Sequence, residues 1–488
     1  MASVRAARAA WVPTLALVLS AASPRGTLAH EAARDLPSGE RWKEHLEKDL
    51  LPFWTVPDAL GTPRGNFPTY RCNDGRLIDP ERPCPESRDP RGLMKEGLDE
   101  QYVRMMSRQA YFYGVAYHLL GDPALLELAR DGVDYLRRHA LEPGTGSAAT
   151  RLRDGEPAGP PDLERTAQDL AYAQVGMAMY YYLTRDPEVL RDIVRLKHHI
   201  FEDYWDEGFG MMRWTVRGED RERKELVAQL DQVNAYLLLL TPILPEPERG
   251  QWKADLVRIA GVLRRRFFSP KEHLFFGTLD TPVSEQPGAR HNDFGHTAKA
   301  LWMTERIGRL VGDPDLVAFA TREADLLLRR AELKDGSWGS RPLASGSIDP
   351  GKEWWIYAEL DQLSATRALT DREKARPLAK TYPFWLKNMV DHEGHEVWGF
   401  VAGDGTPKRG LKIHLWKSGY HSAEHALVSY LTTKALADEP ATLYYAFSSL
   451  PDEVRPYYFA GKMRAAVTSP LPGFEGRQRF EVTFSGLR

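Results

Sequence analysis

The sequence repeats one pattern about every sixty residues, and this repeat constrains the fold more than any other feature. In each repeat an amphipathic helix is followed by a turn such as GDP or RDP, a second amphipathic helix, and a short stretch rich in glycine and aromatic residues. Proline at the first helical position, with aspartate before it, is a helix start signal. The repeat therefore predicts stacked helix pairs that share one core.

Twelve helices in six pairs are predicted between residues 38 and 438, with the helix in RWKEHLEKDLLPFW completing the set. The first helix of each pair is the more hydrophobic and is expected inside, and the second is expected in an outer ring. This predicts an all-α fold, an (α/α)6 barrel with short β-hairpin loops, with an open α-solenoid as the alternative. Residues 439–488 are predicted to be a small β-rich extension, for which the sequence suggests no function.

The first 29 residues are typical of a secretory signal peptide. Arg5 and Arg8 precede a short apolar run, and Thr27 and Ala29 stand at the cleavage positions. A membrane anchor is the alternative, but the run is shorter than the roughly 20 residues that span a bilayer. We therefore expect a protein exported to the periplasm or secreted, with no membrane segment after cleavage.

Charge and cysteine content narrow the possible partners and the compartment. The chain has 65 basic and 68 acidic residues, which gives no indication of a nucleic-acid partner or an anionic membrane surface. Its two cysteines, Cys72 and Cys84, lie in one loop. In an exported chain such a pair predicts a disulfide, and two free thiols are the alternative.

One polar or aromatic-polar residue stands at about the same position of each predicted inner helix. Ionisable groups are costly to bury unless they are paired, so six in register favour a shared site in a closed barrel. Structural ion pairs and, for the tyrosine, core packing are the alternatives. The six residues are Arg108, Tyr172, Asp231, His296, Glu359 and His421.

Several tryptophans enrich the same helix starts and loops. Flat apolar faces with free polar edges are the surfaces on which sugar rings pack, although tryptophans also fill cores. The tryptophans in question are Trp302, Trp354, Trp355, Trp398 and Trp416.

The stretch HSAEH has the form H-x-x-E-H of a helical zinc site, with His421, Glu424 and His425. A catalytic zinc needs three protein ligands and one open position. No third ligand with suitable spacing is evident, because His291 and His296 are five residues apart and face different sides of a helix. We therefore expect no metal, with His425 in a supporting role.

The stretches FGHTAKALWM, WWIYAEL and LWKSGYH resemble signature stretches of the N-acylglucosamine 2-epimerase family, which includes cellobiose 2-epimerases. The resemblance runs from about residue 40 to about residue 435 and implies an (α/α)6 barrel. It implies two acid/base histidines, His296 and His421, and a substrate-binding arginine, Arg108. The family's WW-x-x-A-E stretch is matched by Trp354, Trp355 and Glu359.

Two positions depart from the family pattern. Tyr236 stands where many members have a histidine, and Lys299 stands where they commonly have a glutamate that assists the first catalytic histidine. A lysine beside His296 would disfavour the imidazolium form of that histidine. The departures bear on the substrate and the reaction more than on the fold.

The expected function is 2-epimerisation or aldose–ketose isomerisation of a reducing-end sugar through an enediolate, without a cofactor. Histidine suits this reaction because it can give and take a proton near neutral pH. Two alternatives are a glycoside hydrolase or lyase using Asp231 and Glu359, and a non-catalytic sugar-binding protein. Besides Arg108, the predicted substrate contacts are Tyr172, Asp231, Tyr236, Lys299, Trp302, Trp355, Glu359 and Trp416.

Overall fold

The computed structural model of the protein describes residues 35–88, 97–159, 165–279 and 292–488. The predicted signal peptide of residues 1–29 and His291 lie outside the described residues. Within them the fold is mainly helical, with several small antiparallel sheets.

Twelve principal helices follow one another along the described part of the chain. The twelve helices are α1 (Gly39–Glu44, His45–Leu50 and Leu51–Trp54), α2 (Val103–Leu120), α3 (Pro123–His139), α4 (Ala167–Thr184), α5 (Pro187–His199, continued by Ile200–Tyr204), α6 (Leu226–Gln232, Val233–Leu237 and Leu238–Leu240), α7 (Glu248–Val262, continued by Leu263–Phe267), α8 (Phe294–Val311), α9 (Pro314–Ala331), α10 (Trp354–Ala368), α11 (Leu378–Phe384, continued by Trp385–Met389) and α12 (Tyr420–Leu436). Five of them, α1, α5, α6, α7 and α11, contain or continue into a π-helical turn.

The even-numbered helices form a closed inner ring. Each packs against the next even-numbered helix, and α12 packs against α2. The odd-numbered helices lie outside, each against an inner partner, and α1 packs on α12. Within the described residues, the first helix, α1, is thus the outer partner of the last inner helix, so segments far apart in sequence close the ring.

The predicted start signals form the helix caps. Asp122, Asp186 and Asp313 precede the proline that begins α3, α5 and α9, and each side chain accepts a hydrogen bond from a backbone N–H of the first turn. This satisfies donors that a helix N-terminus leaves unpaired. The inner helices are buried on nearly all sides, whereas the outer helices bury one face.

Short strands stand at the end of the ring where the inner helices begin. β1 (Glu100–Tyr102) runs directly into α2 and β8 (Lys352–Glu353) directly into α10. The other strands at this end are β2 (Arg151–Arg153), β3 (Glu156–Pro157), β4 (Trp205–Asp206), β5 (Met211–Met212), β6 (Phe268–Ser269), β7 (Leu274–Phe275) and β9 (Phe400–Val401). Their antiparallel pairing agrees with the predicted hairpins.

The C-terminal residues form a three-stranded antiparallel sheet in the order β10–β12–β11. Its strands are β10 (Ala441–Tyr445), β11 (Lys462–Pro470) and β12 (Gln478–Ser485). β10 packs against α2, where the Tyr117 hydroxyl donates to the Tyr445 carbonyl at 2.9 Å. Elsewhere, Cys72 and Cys84 form the predicted disulfide.

A buried ion pair fixes the start of α12. The side chains of Lys417 and Glu396 are both fully buried, with Nζ 3.2 Å from Oε1. Glu396 also accepts hydrogen bonds from Trp54 Nε1 at 2.6 Å and Ser422 Oγ at 2.9 Å. The carboxylate therefore joins the end of α1, a loop and the first turn of α12.

We predict that Lys417→Met destabilises the protein by about 3–5 kcal/mol, because it leaves the Glu396 carboxylate buried without its cation. Chemical denaturation would measure the free energy of unfolding. Lys408→Met is the matched control, since Lys408 is exposed. Equal stabilities of the two variants would contradict this account of the pair.

Candidate active site

A cavity of about 780 Å³ opens at the end of the ring where the inner helices begin. Every inner helix except α10 contributes a predicted polar site residue to the wall of this cavity, and α10 contributes Trp354 and Trp355. Eight of the eleven predicted site residues line it: Arg108, Tyr172, Asp231, His296, Lys299, Trp355, Trp416 and His421. Residues far apart in sequence thus converge on one space.

His296 lies in the first turn of α8 and is oriented by Asp293. The Asp293 carboxylate caps the helix by accepting the backbone N–H of His296 at 2.8 Å, and its other oxygen lies 2.7 Å from His296 Nδ1. A carboxylate only accepts, so Nδ1 carries the hydrogen and Nε2 is the nitrogen that can exchange a proton. Asp293 was not among the predicted site residues, although aspartate before a helix start is a recognisable signal.

His421 lies in the first turn of α12 in a different environment. Burial lowers its pKa well below the usual value, and the nearby cations Lys299 and Arg108 lower it further. Its imidazole is therefore neutral at neutral pH. His421 Nδ1 lies 3.6 Å from Glu359 Oε1, longer than a hydrogen bond. Both this ring and that of His296 lie near Trp355, with centroids 6.2 and 4.6 Å away.

Lys299 forms a buried ion pair with Asp231. Lys299 Nζ lies 2.5 Å from Asp231 Oδ1 and donates to the Tyr172 hydroxyl at 3.1 Å, while Gln168 donates to Asp231 Oδ2 at 2.7 Å. Burial acts to raise the pKa of Asp231, but the ammonium overcomes this and holds it below the usual value. Burial likewise opposes the charge on Lys299, and Asp231 raises that pKa. Both groups are charged at neutral pH.

Arg108 presents its guanidinium to the cavity without a carboxylate partner among the described residues. Its carbon Cζ lies 3.8 Å from the centre of the Tyr172 ring, and Nη1 donates to the Trp416 carbonyl at 3.2 Å. Trp416 is 40% exposed, and Arg104 stacks on its ring at 3.9 Å. The cavity therefore combines an available cation with an accessible aromatic face.

Three predicted site residues lie outside the cavity wall. The Tyr236 hydroxyl donates to Gln232 at 2.9 Å and its ring packs on Trp252 of α7, so Tyr236 belongs to the outward side of α6. Trp302 is fully buried, and its Nε1 donates to Glu359 at 2.8 Å. The structure does not support direct substrate contact by Tyr236 or Trp302, because Tyr236 faces the outer helices and Trp302 is buried below the cavity.

Glu359 lies beneath His421, with 2% of the residue exposed. Burial raises its pKa to about 8, against the lowering effect of Lys299. Its neighbour Glu424 has a pKa raised to about 7, again by burial. A buried pair of carboxyls thus lies below His421; the sequence predicted Glu359 as a site residue but did not predict Glu424 beside it.

The two histidines of H-x-x-E-H do not share a site. His425 Nε2 lies 2.8 Å from Asp361 Oδ2, and its ring packs on Trp385 at 4.2 Å, on the outer side of α12. This excludes the zinc site that the motif suggests.

Two candidate ligand sets occur in the described part of the chain, but one consists of Glu86 and the two cysteines of the disulfide, and only the other lies beside the cavity. Glu359, His421 and Glu424 each place a ligand atom within 4.8 Å of the others. However, the two carboxyls already accept hydrogen bonds from Trp302 and Tyr457, and the charge of Lys299 acts on both. A neighbouring cation disfavours a second one, so the residues fit a metal poorly.

Comparisons with known proteins agree with this geometry. The model of the family described as N-acylglucosamine 2-epimerase (GlcNAc 2-epimerase) matches residues 89–423. Cellobiose 2-epimerase from Eubacterium cellulosolvens is 22% identical over 414 residues, which cover 79% of this chain and 96% of that protein.

Two solved structures share the fold. Cellobiose 2-epimerase from Bacillus thermoamylovorans superposes with a TM-score of 0.67 at 18% identity, covering 80% of this chain and 98% of that one. A D-mannose isomerase superposes with a TM-score of 0.66 at 14% identity, covering 80% and 97%. Because the family model spans well over half of the sequence, this chain belongs to the N-acylglucosamine 2-epimerase family.

Proposed function

We propose that the protein is a carbohydrate isomerase that epimerises or isomerises a reducing-end sugar by proton transfer. One observation carries the proposal: two histidines on different helices line one cavity, and their surroundings differ in charge. The relatives support it, being cellobiose 2-epimerases and a D-mannose isomerase. We further infer that the ring of six helix pairs is an (α/α)6 barrel, the architecture that places six helix starts around one site.

The different surroundings of the histidines suit them to opposite roles. His421 is neutral, so it can accept the proton from the carbon next to the sugar carbonyl. His296 can carry an additional proton at Nε2, because the Asp293 carboxylate stabilises the imidazolium through Nδ1–H. The two groups therefore act as base and acid, and exchange roles in the reverse reaction.

The reaction balances within these residues and the sugar. The electron pair of the broken C2–H bond forms the C1=C2 bond, and the carbonyl oxygen takes the charge of an enediolate. Return of a proton to the opposite face of C2 gives the 2-epimer. For the ketose, the hydroxyl proton of O2 moves to O1 and a proton returns to C1, so that the carbonyl forms at C2. Arg108, which has no carboxylate partner among the described residues, and Lys299 stabilise the developing negative charge.

The cavity suits a small carbohydrate. Its volume of about 780 Å³ lies in the usual range of small-molecule sites, roughly 300–1,000 Å³. Trp416 and Trp355 supply aromatic faces for a sugar ring. The mechanism calls on no cofactor, and we propose that the protein acts after export, as residues 1–29 predict.

The geometry favours the isomerase over a glycoside hydrolase. A hydrolase needs two carboxyls that flank the scissile bond. Asp231 is held by Lys299, and Glu359 is buried outside the cavity wall, so neither is placed to attack a sugar. A binding protein without catalysis would not need two histidines in distinct charge environments.

We predict that His296→Ala and His421→Ala each lower the rate of sugar conversion by about 10²–10⁴-fold, the usual contribution of an acid/base group. The purified protein would be incubated with reducing mono- and disaccharides, and chromatography would separate the 2-epimer from the ketose. Tyr236→Phe is the control, because Tyr236 lies outside the cavity. Retained conversion in either alanine variant would refute the assigned role.

We also predict that Lys299→Met, combined with Asp231→Asn, moves the acid limb of the kcat/KM profile to higher pH. Removing the ammonium raises the pKa of His421, so the base is protonated at a higher pH. The second substitution avoids a buried unpaired carboxylate. Lys299→Arg keeps the charge and should leave the limb in place. A shift to lower pH in the double variant would contradict the assignment of His421 as the base.

A further inference from the structure

The C-terminal residues enter the ring from the end opposite the cavity. They lie outside the segment 89–423 that the family model matches. After β10 the chain turns beneath the C-terminal ends of α6, α8 and α10, where Tyr457 and Tyr458 stand beside Leu238, Arg306 and Thr366. Tyr458 packs on Trp302 at 5.4 Å. The segment therefore reaches residues that lie directly below the candidate active site.

Tyr457 is held firmly at this position. Its hydroxyl donates to Glu424 Oε1 at 2.7 Å and lies 2.6 Å from the Tyr111 hydroxyl of α2. Its backbone N–H donates to the Tyr182 hydroxyl at 2.7 Å. Its φ is 57°, a left-handed conformation that is uncommon for a bulky residue and that persists where surrounding contacts impose it.

Glu424, the acceptor of that hydrogen bond, is coupled to Glu359. Burial raises the pKa of Glu424 to about 7, whereas the Tyr457 hydroxyl acts to lower it. Burial raises the pKa of Glu359 to about 8, and the negative charge of Glu424 contributes to that rise. Adjacent buried carboxyls resist carrying two negative charges, so the protonation of one depends on the other. The titratable and charged groups that act on this pair and on His421 are Lys299, Arg108, Asp231, His296, Lys417, Tyr111, Tyr172, Tyr420, Tyr457 and Tyr458.

The charge of Glu359 acts on His421, its neighbour. Glu359 Oε1 is buried without a hydrogen-bond partner and lies 3.6 Å from His421 Nδ1. At this distance, which is longer than a hydrogen bond, an ionised Glu359 acts on the His421 ring as a negative charge and favours its imidazolium form. With its pKa raised to about 8, Glu359 is mostly protonated at neutral pH, so it adds no such charge and His421 stays neutral, as its role as the base requires.

We propose that the C-terminal segment forms the floor of the active site and that Tyr457 is a positioning residue. Tyr457 holds Glu424 beside Glu359, and through the charge of Glu359 it keeps His421 neutral. This proposal rests on the proposed function, because it assigns a role to His421 in proton transfer. It gives residues 439–488 a task in the reaction that the barrel residues alone do not perform.

Tyr457→Phe tests the proposal while it preserves the ring that packs in the floor. Loss of the hydroxyl raises the pKa of Glu424, which becomes neutral and no longer disfavours the ionised form of Glu359. His421 then gains an anionic neighbour, so its titration moves to higher pH. We expect a shift of about half a pH unit or more in the ¹⁵N NMR signals of the His421 ring nitrogens. We also expect the acid limb of kcat to move in the same direction.

Two further variants separate positioning from stability. Tyr445→Phe removes a buried hydroxyl that donates to the Arg455 carbonyl at 2.6 Å in the same segment, without a bond to Glu424. It should leave the His421 titration unchanged. Glu424→Gln should reproduce the Tyr457→Phe shift without altering the floor, and it replaces Tyr457→Phe in the test if that variant fails to fold. Adding Tyr457→Phe to Glu424→Gln should produce no further shift, because Tyr457 acts through Glu424.

An unchanged His421 titration in both Tyr457→Phe and Glu424→Gln would overturn the proposal, as would equal shifts in Tyr457→Phe and Tyr445→Phe. The NMR titration needs no substrate. If the unaltered protein converts no sugar, the proposed function fails, whereas the link from Tyr457 to His421 is still decided by the ring signals.

Discussion

The ion pair between Lys299 and Asp231 organises the centre of this protein. It joins α8 to α6, and the Tyr172 hydroxyl from α4 bonds to both partners. Three inner helices thus meet at a buried ion pair, and removing either charge would leave the other buried without a partner, which is strongly destabilising. The positive charge also acts beyond the pair, since it lowers the pKa of His421 across the cavity. The ion pair that joins these helices therefore also lowers the pKa of a candidate catalytic histidine.

Electrostatic coupling also extends to the buried residues below the cavity. Glu359, Glu424 and Tyr457 lie successively below His421, and each is almost completely shielded from water. In such surroundings a proton on one group changes its neighbour, because little solvent screens the charges. The floor of the ring is thus part of the chemistry, even though the sugar would contact only the upper layer.

Periodicity in the sequence predicted much of the fold and part of the site. Proline and aspartate marked the outer helix starts, and polar residues in register predicted that His296, His421, Asp231 and Arg108 would meet. Register alone cannot predict which way a side chain turns. In α6 the π-helical turn Val233–Leu237 contains Tyr236, which turns outward.

Other features were beyond the sequence pattern because they depend on long-range packing. The contact between Tyr457 and Glu424 joins the C-terminal extension to α12, and nothing local predicts it. From the sequence, Lys299 was predicted as a substrate contact and as a departure from the family beside His296, with an ion pair to Asp231 or Glu359 as an alternative. Its partner, Asp231, became evident when the ring brought α6 and α8 together.

The central claim is proton transfer at C2 by the two histidines, and deuterium exchange tests it most directly. The protein would be incubated in D2O with reducing sugars, and NMR would follow the C2 position. The account predicts deuterium at C2 of the epimer or at C1 of the ketose, with no incorporation by the His421→Ala variant. Product that forms without deuterium, or cleavage of a glycosidic bond in place of isomerisation, would contradict it.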